Sequence, residues 1–183
     1  MPLNKTTKKK ENILNAASTI VLEDGVSQLT LEGVADKAGV SKGGLLYHFS
    51  NKDALIEGMV ADWSESYFQD IRDMAYADDN HEGKWTKAYV KKTFYDSDHN
   101  KQMNSAIMAA MFLNPELLEE FRRQYDLLIE ELMDDGIDPI HATIARLATD
   151  GLWYSEILGL DQLNEGFKKQ ILYKLSEIIE EGK

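Results

Sequence analysis

The chain has 183 residues, a net charge of −12 and no cysteine, which excludes disulfides and thiol-based redox sensing. Its longest apolar run, residues 106–113, is far shorter than the roughly 20 residues that span a bilayer, and its lysine-rich start lacks the apolar core of a signal peptide. We therefore expect a cytoplasmic protein.

The acidic excess is confined to one part of the chain. Residues 1–58 hold seven lysines and seven acidic side chains, whereas residues 59–183 hold thirteen basic and twenty-five acidic ones. A strongly negative chain argues against a nucleic-acid partner, but the first part carries none of that excess. Most of its lysines lie in the N-terminal tail or at predicted helix starts, where phosphates are within reach.

Three short helices are predicted within the first 50 residues. Residues 13–21 carry apolar side chains at helical spacing. The second helix begins after Thr30, which suits an N-cap, and ends at Gly39, where a tight turn needs an adaptable backbone. Ser41 and Asn51 are the N-caps expected for the next two helices. Two helices joined by such a turn are the layout of a protein that reads the major groove.

The third helix begins with Lys42, Gly43 and Gly44. Each glycine costs about 1 kcal/mol relative to alanine inside a helix, so helix propensity does not explain the pair. A helix face without Cβ atoms can bring its backbone close to another surface, such as a groove of DNA.

The remainder is predicted to be helical, since no alternation of apolar and polar residues is long enough to indicate a sheet. A long helix is expected from Asn51 to about Tyr76, and a short one from Trp85 to Tyr95. Further helices are expected at about 103–113, 116–133, 140–158 and 164–181, of which the second and third follow Asn114-Pro115 and Asp138-Pro139. We therefore predict an all-α protein with a helix-turn-helix DNA-binding domain in residues 1–50 and a helical domain in residues 51–183.

The run from Ala35 to Leu55 reads AxxAGVSKGxLxYHFxxKxxL, where x is any residue. It resembles, nearly position for position, the signature of the tetracycline-repressor (TetR) family of bacterial transcription regulators, and the resemblance covers about residues 8–58. It implies an N-terminal three-helix bundle followed by a helical domain for effector binding and dimerisation. It further implies a repressor that binds a palindromic operator in double-stranded DNA as a homodimer and is released by a small molecule.

Nine residues are expected at the DNA, on the resemblance and on helix geometry together; eight lie in the first domain, and Lys52 lies at the start of the second. Thr30 is expected to bond a phosphate, and Lys42 to reach guanine O6 and N7 or a phosphate. Leu46 stands where the family often has an aromatic residue, so thymine methyl contacts and DNA shape are expected to carry much of the specificity. The set is Thr30, Ser41, Lys42, Gly43, Gly44, Leu46, Tyr47, His48 and Lys52.

Two assignments in this domain stay open. Tyr47 and His48 are expected to clamp phosphates, as is Lys52 at the start of the following helix, but Tyr47 also suits a partly structural role. The lysines at 8–10 suit either a phosphate contact or an ordinary solvated tail.

The resemblance implies an effector pocket in the second domain, where aromatic and methionine side chains are frequent. An acidic body suits a cationic ligand, with Asp150 or Glu156 as its partner. Simple core filling is the alternative for any one of these side chains. The expected pocket consists of Trp63, Tyr67, Met103, Met108, Met111, Phe112, Phe121, Tyr125, Trp153 and Glu156.

The helix that begins near Ile140 has one face of small residues, among them Ala142, Ala145 and Gly151, beside a face of bulky ones. Small residues let a second helix approach closely. The resemblance implies that the last two helices of each subunit pack against those of a partner as a four-helix bundle. The alternative is that both faces are buried inside one monomer.

Enzymatic chemistry is not indicated. The carboxylates fall in solvated runs, the four histidines lack a metal-ligand spacing, and no glycine-rich phosphate loop follows a strand. Asp96, Asp98 and His99 form a conceivable metal patch, against which an ordinary solvated loop is the alternative. We expect no catalytic residue, no metal and no cofactor. The alternative function is a constitutive architectural DNA-binding protein, whose DNA affinity no small molecule would change.

Overall fold

The computed structural model describes residues 5–99, 101–160 and 163–183. Within those ranges the chain forms nine α-helices, one 3₁₀ turn at Val26–Gln28 and no strand, which confirms the all-α prediction with an N-terminal helix-turn-helix. The helices are α1 Lys5–Asp24, α2 Leu31–Ala38, α3 Lys42–His48, α4 Lys52–Tyr76, α5 Lys84–His99, α6 Lys101–Leu113, α7 Pro115–Met133, α8 Pro139–Leu158 and α9 Glu165–Glu181.

Helix starts fall where the capping residues predict them. The side-chain oxygens of Thr30, Ser41 and Asn51 each accept the backbone N–H three residues later, at 3.1, 3.1 and 2.8 Å. Asn164 caps α9 in the same way at 3.0 Å. Each bond satisfies an N–H group that a helix start leaves open. Gly39 ends α2 with a φ of 66°, the left-handed conformation that glycine adopts without steric cost.

The end of α5 and the start of α6 differ from the prediction. α5 continues to His99 instead of ending at Tyr95, and α6 begins at Lys101. The residues after Tyr95 are polar, but they include neither glycine nor proline, so none of them blocks a helical backbone. The predicted end of this helix was therefore wrong.

The chain folds into two compact units, and α4 contributes to both. The first contains the described residues up to Ser64 together with residues 102–118. The second contains the described residues of 65–101 and 119–183. The assignment of residues 1–50 and 51–183 to separate functions stays a prediction.

The first unit has an apolar core beneath the helix-turn-helix. Ile13 of α1, Leu45 of α3 and Leu55 of α4 are fully buried. α4 passes close to Phe49 at Gly58, where a Cβ atom would lie 2.5 Å from the ring carbon Cε1 of Phe49. These contacts fix the orientation of α3, because its one buried side chain is held from below.

The second unit is built around α5, α8 and α9. The small side chains of Ala142, Ala145 and Thr149 are buried within the chain, whereas Gly151, predicted on the same face, is exposed. Bulky residues of α8 face outward instead, and they are Ile140, Ile144, Leu147, Tyr154 and Leu158. The core consists of Val90, Phe94, Ile137, Ala142, Ala145, Leu152, Leu175 and Ile179.

A buried carboxylate from the α7–α8 connection caps the start of α5. Asp135 is 2% exposed, and it accepts the N–H groups of Trp85 and Thr86 at 3.0 and 2.8 Å and the Thr86 hydroxyl at 2.8 Å. Burial raises the pKa of this carboxyl, although the three hydrogen bonds oppose that shift. Asp135 therefore joins two segments about 50 residues apart.

The Asp135→Ala variant is expected to unfold at a temperature about 5–10 °C lower than the wild type. The change leaves three buried donors without their acceptor, which costs about 1–3 kcal/mol for an unsatisfied group, and each kcal/mol shifts the midpoint by about 2–4 °C at this size. Thermal unfolding followed by circular dichroism measures the effect, with the exposed neighbour changed in Asp134→Ala as the control. Equal midpoints for the two variants would contradict the capping role.

Candidate nucleic-acid interface

The outer face of α3 is open to solvent. Leu45 is buried, whereas Ser41, Lys42 and Gly43 are exposed and Tyr47 is 79% exposed. A short helix held by one buried leucine thus presents its other side chains outward. Leu46 and Gly44 are exposed as well, and His48 is half-buried.

The two glycines of α3 have different surroundings. A Cβ atom on Gly43 would meet no atom within 4 Å, whereas one on Gly44 would lie 3.2 Å from Oγ of Ser41. Gly43 therefore leaves the outer surface of the helix flat. Gly44 gives room to the capping hydroxyl of Ser41, which accepts its N–H at 3.1 Å.

Lys42 is held by a partner that the sequence analysis did not identify. Its Nζ atom lies 2.6 Å from Oε1 of Glu32, in the first turn of α2. The hydrogen bond from this ammonium lowers the pKa of the Glu32 carboxyl. Lys42 is therefore already part of an ion pair before it contacts any DNA.

An open groove lies between the start of α1 and α3. Lys9, Ser41, Tyr47 and His48 are among the side chains that line it. The rings of Tyr47 and His48 meet edge to face, with centroids 5.1 Å apart. The structure thus brings Lys9, which the sequence left open, to the same face as two of the expected phosphate contacts.

Thr30 and Lys52 lie at the starts of α2 and α4, and both are exposed. The Thr30 oxygen accepts the Gly33 N–H at 3.1 Å, which leaves the hydroxyl hydrogen available for donation to a phosphate. The positive end of the α4 dipole adds to the charge of Lys52.

The expected effector residues are divided between the two compact units. In the first unit, Met103, Met108 and Met111 are buried and Trp63 is half-buried, but Phe112 is 68% exposed. The other five expected residues belong to the second unit.

In the second unit the rings of four residues form a continuous series. Phe68 lies 5.2 Å from Tyr67 and 5.5 Å from Phe121, and Phe121 stacks on Tyr125 at 6.0 Å. The Tyr67 hydroxyl forms a 2.7 Å hydrogen bond with the Thr93 hydroxyl. The structure therefore brings together Tyr67, Phe121 and Tyr125.

Both carboxylates suggested for a cationic ligand already have partners. Asp150 accepts hydrogen bonds from the hydroxyls of Tyr89 and Tyr125, and it lies 3.1 Å from a guanidinium nitrogen of Arg146. Burial raises the pKa of the Tyr89 hydroxyl well above its usual value. These polar contacts join α5, α7 and α8.

Glu156 and Trp153 lie farther along α8, and both are buried. The Glu156 carboxylate is 3.1 Å from Nζ of Lys168, itself buried on α9. The Trp153 ring contacts Tyr154 edge to face at 5.3 Å. Glu156 is thus part of an ion pair between α8 and α9.

A small cleft of about 200 Å³ opens among α4, α5 and α7 in the second unit. Its walls include Phe68, Tyr76, Trp85 and Leu127, and two glutamates lie beside them. The cleft shares Phe68 with the ring series. None of its lining residues was predicted as a site residue, because the apolar ones occupy positions typical of ordinary core residues.

Neither a membrane-spanning helix nor a metal cluster is found in the described part of the chain. No helix there is long and apolar enough to cross a membrane, and no group of three or more histidines and acidic residues is placed to hold a metal ion. The side chains of Asp96, Asp98 and His99 lie outside the described residues.

Comparison with protein families identifies both parts of the chain. Residues 13–59 match the model of the bacterial regulatory proteins of the tetR family. Residues 83–180, more than half of the chain, match the model of the tetracyclin repressor-like C-terminal domain. The chain belongs to the TetR family. Its family is one of bacterial transcriptional regulators, and the match to the N-terminal model includes the helix-turn-helix.

Individual relatives of this TetR-family regulator are distant. The transcriptional repressor KstR2 of Mycolicibacterium smegmatis is 30% identical over 70 residues, which are 37% of this chain and 34% of KstR2. The chain thus matches about a third of the length of that relative.

Solved structures share the fold over nearly the whole chain. A TetR-family transcriptional regulator of Mesorhizobium loti superposes with a TM-score of 0.76 at 16% identity, covering 97% of this chain and 96% of its own. The multidrug binding protein EbrR, complexed with imidazole, gives a TM-score of 0.63 at 19% identity, covering 92% and 89%. At these identities the TetR fold is what the proteins share.

Proposed function

We propose that this TetR-family regulator is a repressor that binds a palindromic operator as a homodimer and leaves it when a small molecule binds. The observation that carries the proposal is the outward face of α3, which is flat at Gly43 and flanked by Lys42 and Tyr47. Its proposed target is double-stranded DNA, so we place its action in the bacterial cytoplasm.

The outward face of α3 supports a reading of base edges. Gly43 lets the helix backbone descend into the major groove, where Lys42 donates to O6 and N7 of a guanine. Leu46 contacts a thymine methyl group. Few hydrogen-bonding side chains remain on this face, so the shape and deformability of the operator contribute the rest of the discrimination.

Phosphate contacts surround this reading surface. Thr30 and Lys52 act at helix starts, where open N–H groups and the helix dipole attract anions. Tyr47 and His48 donate from the far end of α3, and Lys9 adds a charge across the groove. Such contacts fix the orientation of a protein on the duplex without reading its sequence.

The Lys52→Ala and Lys9→Ala variants are each expected to weaken binding to operator and unrelated duplexes alike. Each removes one phosphate contact per subunit and therefore two per bound dimer, so the slope of log K against log salt becomes shallower by about 1.8. Fluorescence anisotropy at several salt concentrations measures this slope, with the exposed α9 lysine changed in Lys169→Ala as the control. An unchanged slope would mean that the lysine does not meet a phosphate.

The outer stripe of α8 supports dimerisation. Its exposed residues alternate in steps of four and three along the helix, the spacing by which one helix packs along another. A Cβ atom on Gly151, within this stripe, would meet no atom of the chain within 4 Å, so a partner helix has room to approach. The stripe comprises Ile140, Ile144, Leu147, Gly151, Tyr154 and Leu158. On α9, Phe167 and Tyr173 are also exposed.

The cleft among α4, α5 and α7 and the adjoining ring series support an effector site. Concave sites lined by aromatic side chains with a few polar groups are typical for small ligands. EbrR, with the same fold, is a multidrug binding protein. We propose an apolar ligand that binds at the cleft and spreads the rings of Phe68 and Phe121.

α4 connects the proposed ligand site with the proposed DNA contacts. The helix begins at Lys52, a proposed phosphate contact, and continues to Phe68 and Tyr76, which line the cleft. A ligand that shifts α4 changes the spacing of the two α3 helices in a dimer. A tenfold loss of operator affinity requires about 1.4 kcal/mol of difference between the ligand's affinities for the two spacings.

A thermal-shift screen of apolar and cationic compounds, followed by operator mobility shift with each hit, tests the effector. We expect a compound that raises the unfolding temperature and lowers operator affinity at least about tenfold. Replacement of a cleft residue in Phe68→Ala is expected to abolish both effects. If no compound changes DNA affinity, the alternative of a constitutive architectural protein is favoured.

A further inference from the structure

A salt bridge joins the first turns of α2 and α3. Oε1 of Glu32 lies 2.6 Å from Nζ of Lys42, and the two side chains are 73% and 58% exposed. Glu32 is the second residue of α2 and Lys42 the first residue of α3. The bridge therefore spans the two helix starts that the proposed function turns toward DNA.

A lysine side chain does not by itself distinguish a base edge from a phosphate. Its ammonium is a compact charge on a flexible stem, without the fixed fork of an arginine, so an unrestrained Lys42 binds the nearest phosphate as readily as a guanine. An ammonium has three donors. One of them is held by Glu32, which leaves two for O6 and N7 of a guanine.

Glu32 keeps Lys42 from phosphates through the pair itself. While the carboxylate holds the ammonium, Lys42 is not free to move to the backbone of an unrelated duplex. In an operator complex Lys42 points to the base edge and the carboxylate stays paired.

We propose that Glu32 is a specificity-determining residue that holds Lys42 for base reading and keeps it from the phosphates of unrelated DNA. The inference rests on the proposed operator binding. Glu32 acts through Lys42, so it is a positioning residue and touches no base itself.

The Glu32→Gln variant tests the inference on two duplexes. The first is the sequence that the wild type enriches from a randomised library, and the second is its scrambled version. Exposed ion pairs are weak, so we expect only about three- to fivefold tighter binding to the scrambled duplex and a change of less than about twofold on the enriched one. The salt slope on the scrambled duplex should steepen by about 1.8 as the two Lys42 side chains of a dimer move to phosphates.

Glu23 offers a matched control. It forms an exposed 2.6 Å pair with Lys37 in the same unit, and Glu23→Gln changes the net charge by the same amount. We expect this variant to bind both duplexes as the wild type does. An equal effect of the two variants would show that net charge alone is responsible, which would overturn the inference.

A double-mutant cycle with Lys42→Gln decides whether Glu32 acts through Lys42. In the Lys42→Gln background, Glu32→Gln is expected to leave binding to the scrambled duplex unchanged within about twofold. The same three- to fivefold tightening in that background would overturn the inference, because Glu32 would then act directly on phosphates. A wild type that enriches no sequence would contradict the proposed function itself, whereas a failed cycle with an enriched operator would contradict only the role of Glu32.

Discussion

The Gly43→Val variant is expected to fold as the wild type does and to bind its operator at least about 100-fold more weakly, a loss of about 2.8 kcal/mol. A Cβ atom at this position would meet no atom within 4 Å, and valine has a somewhat better helix propensity than glycine. The loss therefore arises at the DNA surface, where the added methyl groups hold the α3 backbone away from the base edges. Mobility shift with the selected operator measures it.

Two further variants separate this effect from a damaged fold. Gly43→Ala adds one methyl group and should give an intermediate loss. Gly44→Ala instead crowds the capping hydroxyl of Ser41, so its effect should appear in thermal unfolding as well as in DNA binding. If Gly43→Val binds the operator within about twofold of the wild type, α3 does not approach DNA along this face.

The Leu147→Glu variant is expected to raise the dissociation constant of the dimer at least about 100-fold. In a two-fold symmetric interface each substitution occurs twice, and burying an unpaired carboxylate costs far more than leaving it in water. Leu147 lies in the middle of the exposed stripe of α8. Sedimentation velocity at micromolar concentration should show a monomer, and binding to the full operator should fall with it.

A matched control for this substitution is Leu113→Glu, which changes another exposed leucine, at the end of α6 in the other compact unit. We expect it to remain a dimer. A Leu147→Glu protein that sediments as a dimer would exclude the outer face of α8 from the interface.

Local signals made the helix starts predictable. A cap depends on one side chain and the N–H groups within three residues of it, so Thr30, Ser41 and Asn51 indicate the starts of their helices in the sequence alone. The exposed face of α3 was predictable from its length, since a seven-residue helix that buries one leucine exposes most of its other side chains. The end of α5 was not, because its polar residues permit both helix and loop.

Ion pairs between helices could not be predicted from the sequence. Glu32 and Lys42 are ten residues apart, and their contact depends on the angle between α2 and α3. Lys168 meets Glu156 only because α8 and α9 run side by side. Arg146 and Asp150 are four residues apart, a spacing that places both side chains on one helix face. Such a pair can be predicted from the sequence alone.

Which face of α8 is buried could also be determined only from the structure. Both of its faces are apolar, so periodicity shows two stripes without indicating which one is internal. Ala142, Ala145 and Thr149 are buried because α5 and α9 pack against α8, whereas Gly151, predicted on the same stripe, is exposed. Composition likewise identified the aromatic residues of the expected pocket, but it did not show that Phe112 is exposed or that the set is divided between two units.

Selection of bound duplexes from a randomised library, followed by footprinting of the enriched sequence, tests most directly whether α3 reads DNA in a dimer. We predict an inverted repeat whose half-site centres lie about 34–36 Å apart or slightly more, protected on one face of the duplex. The Gly43→Val protein should enrich nothing under the same conditions. A wild type that enriches no sequence, or only a single unrepeated half-site, would contradict operator recognition by a dimer.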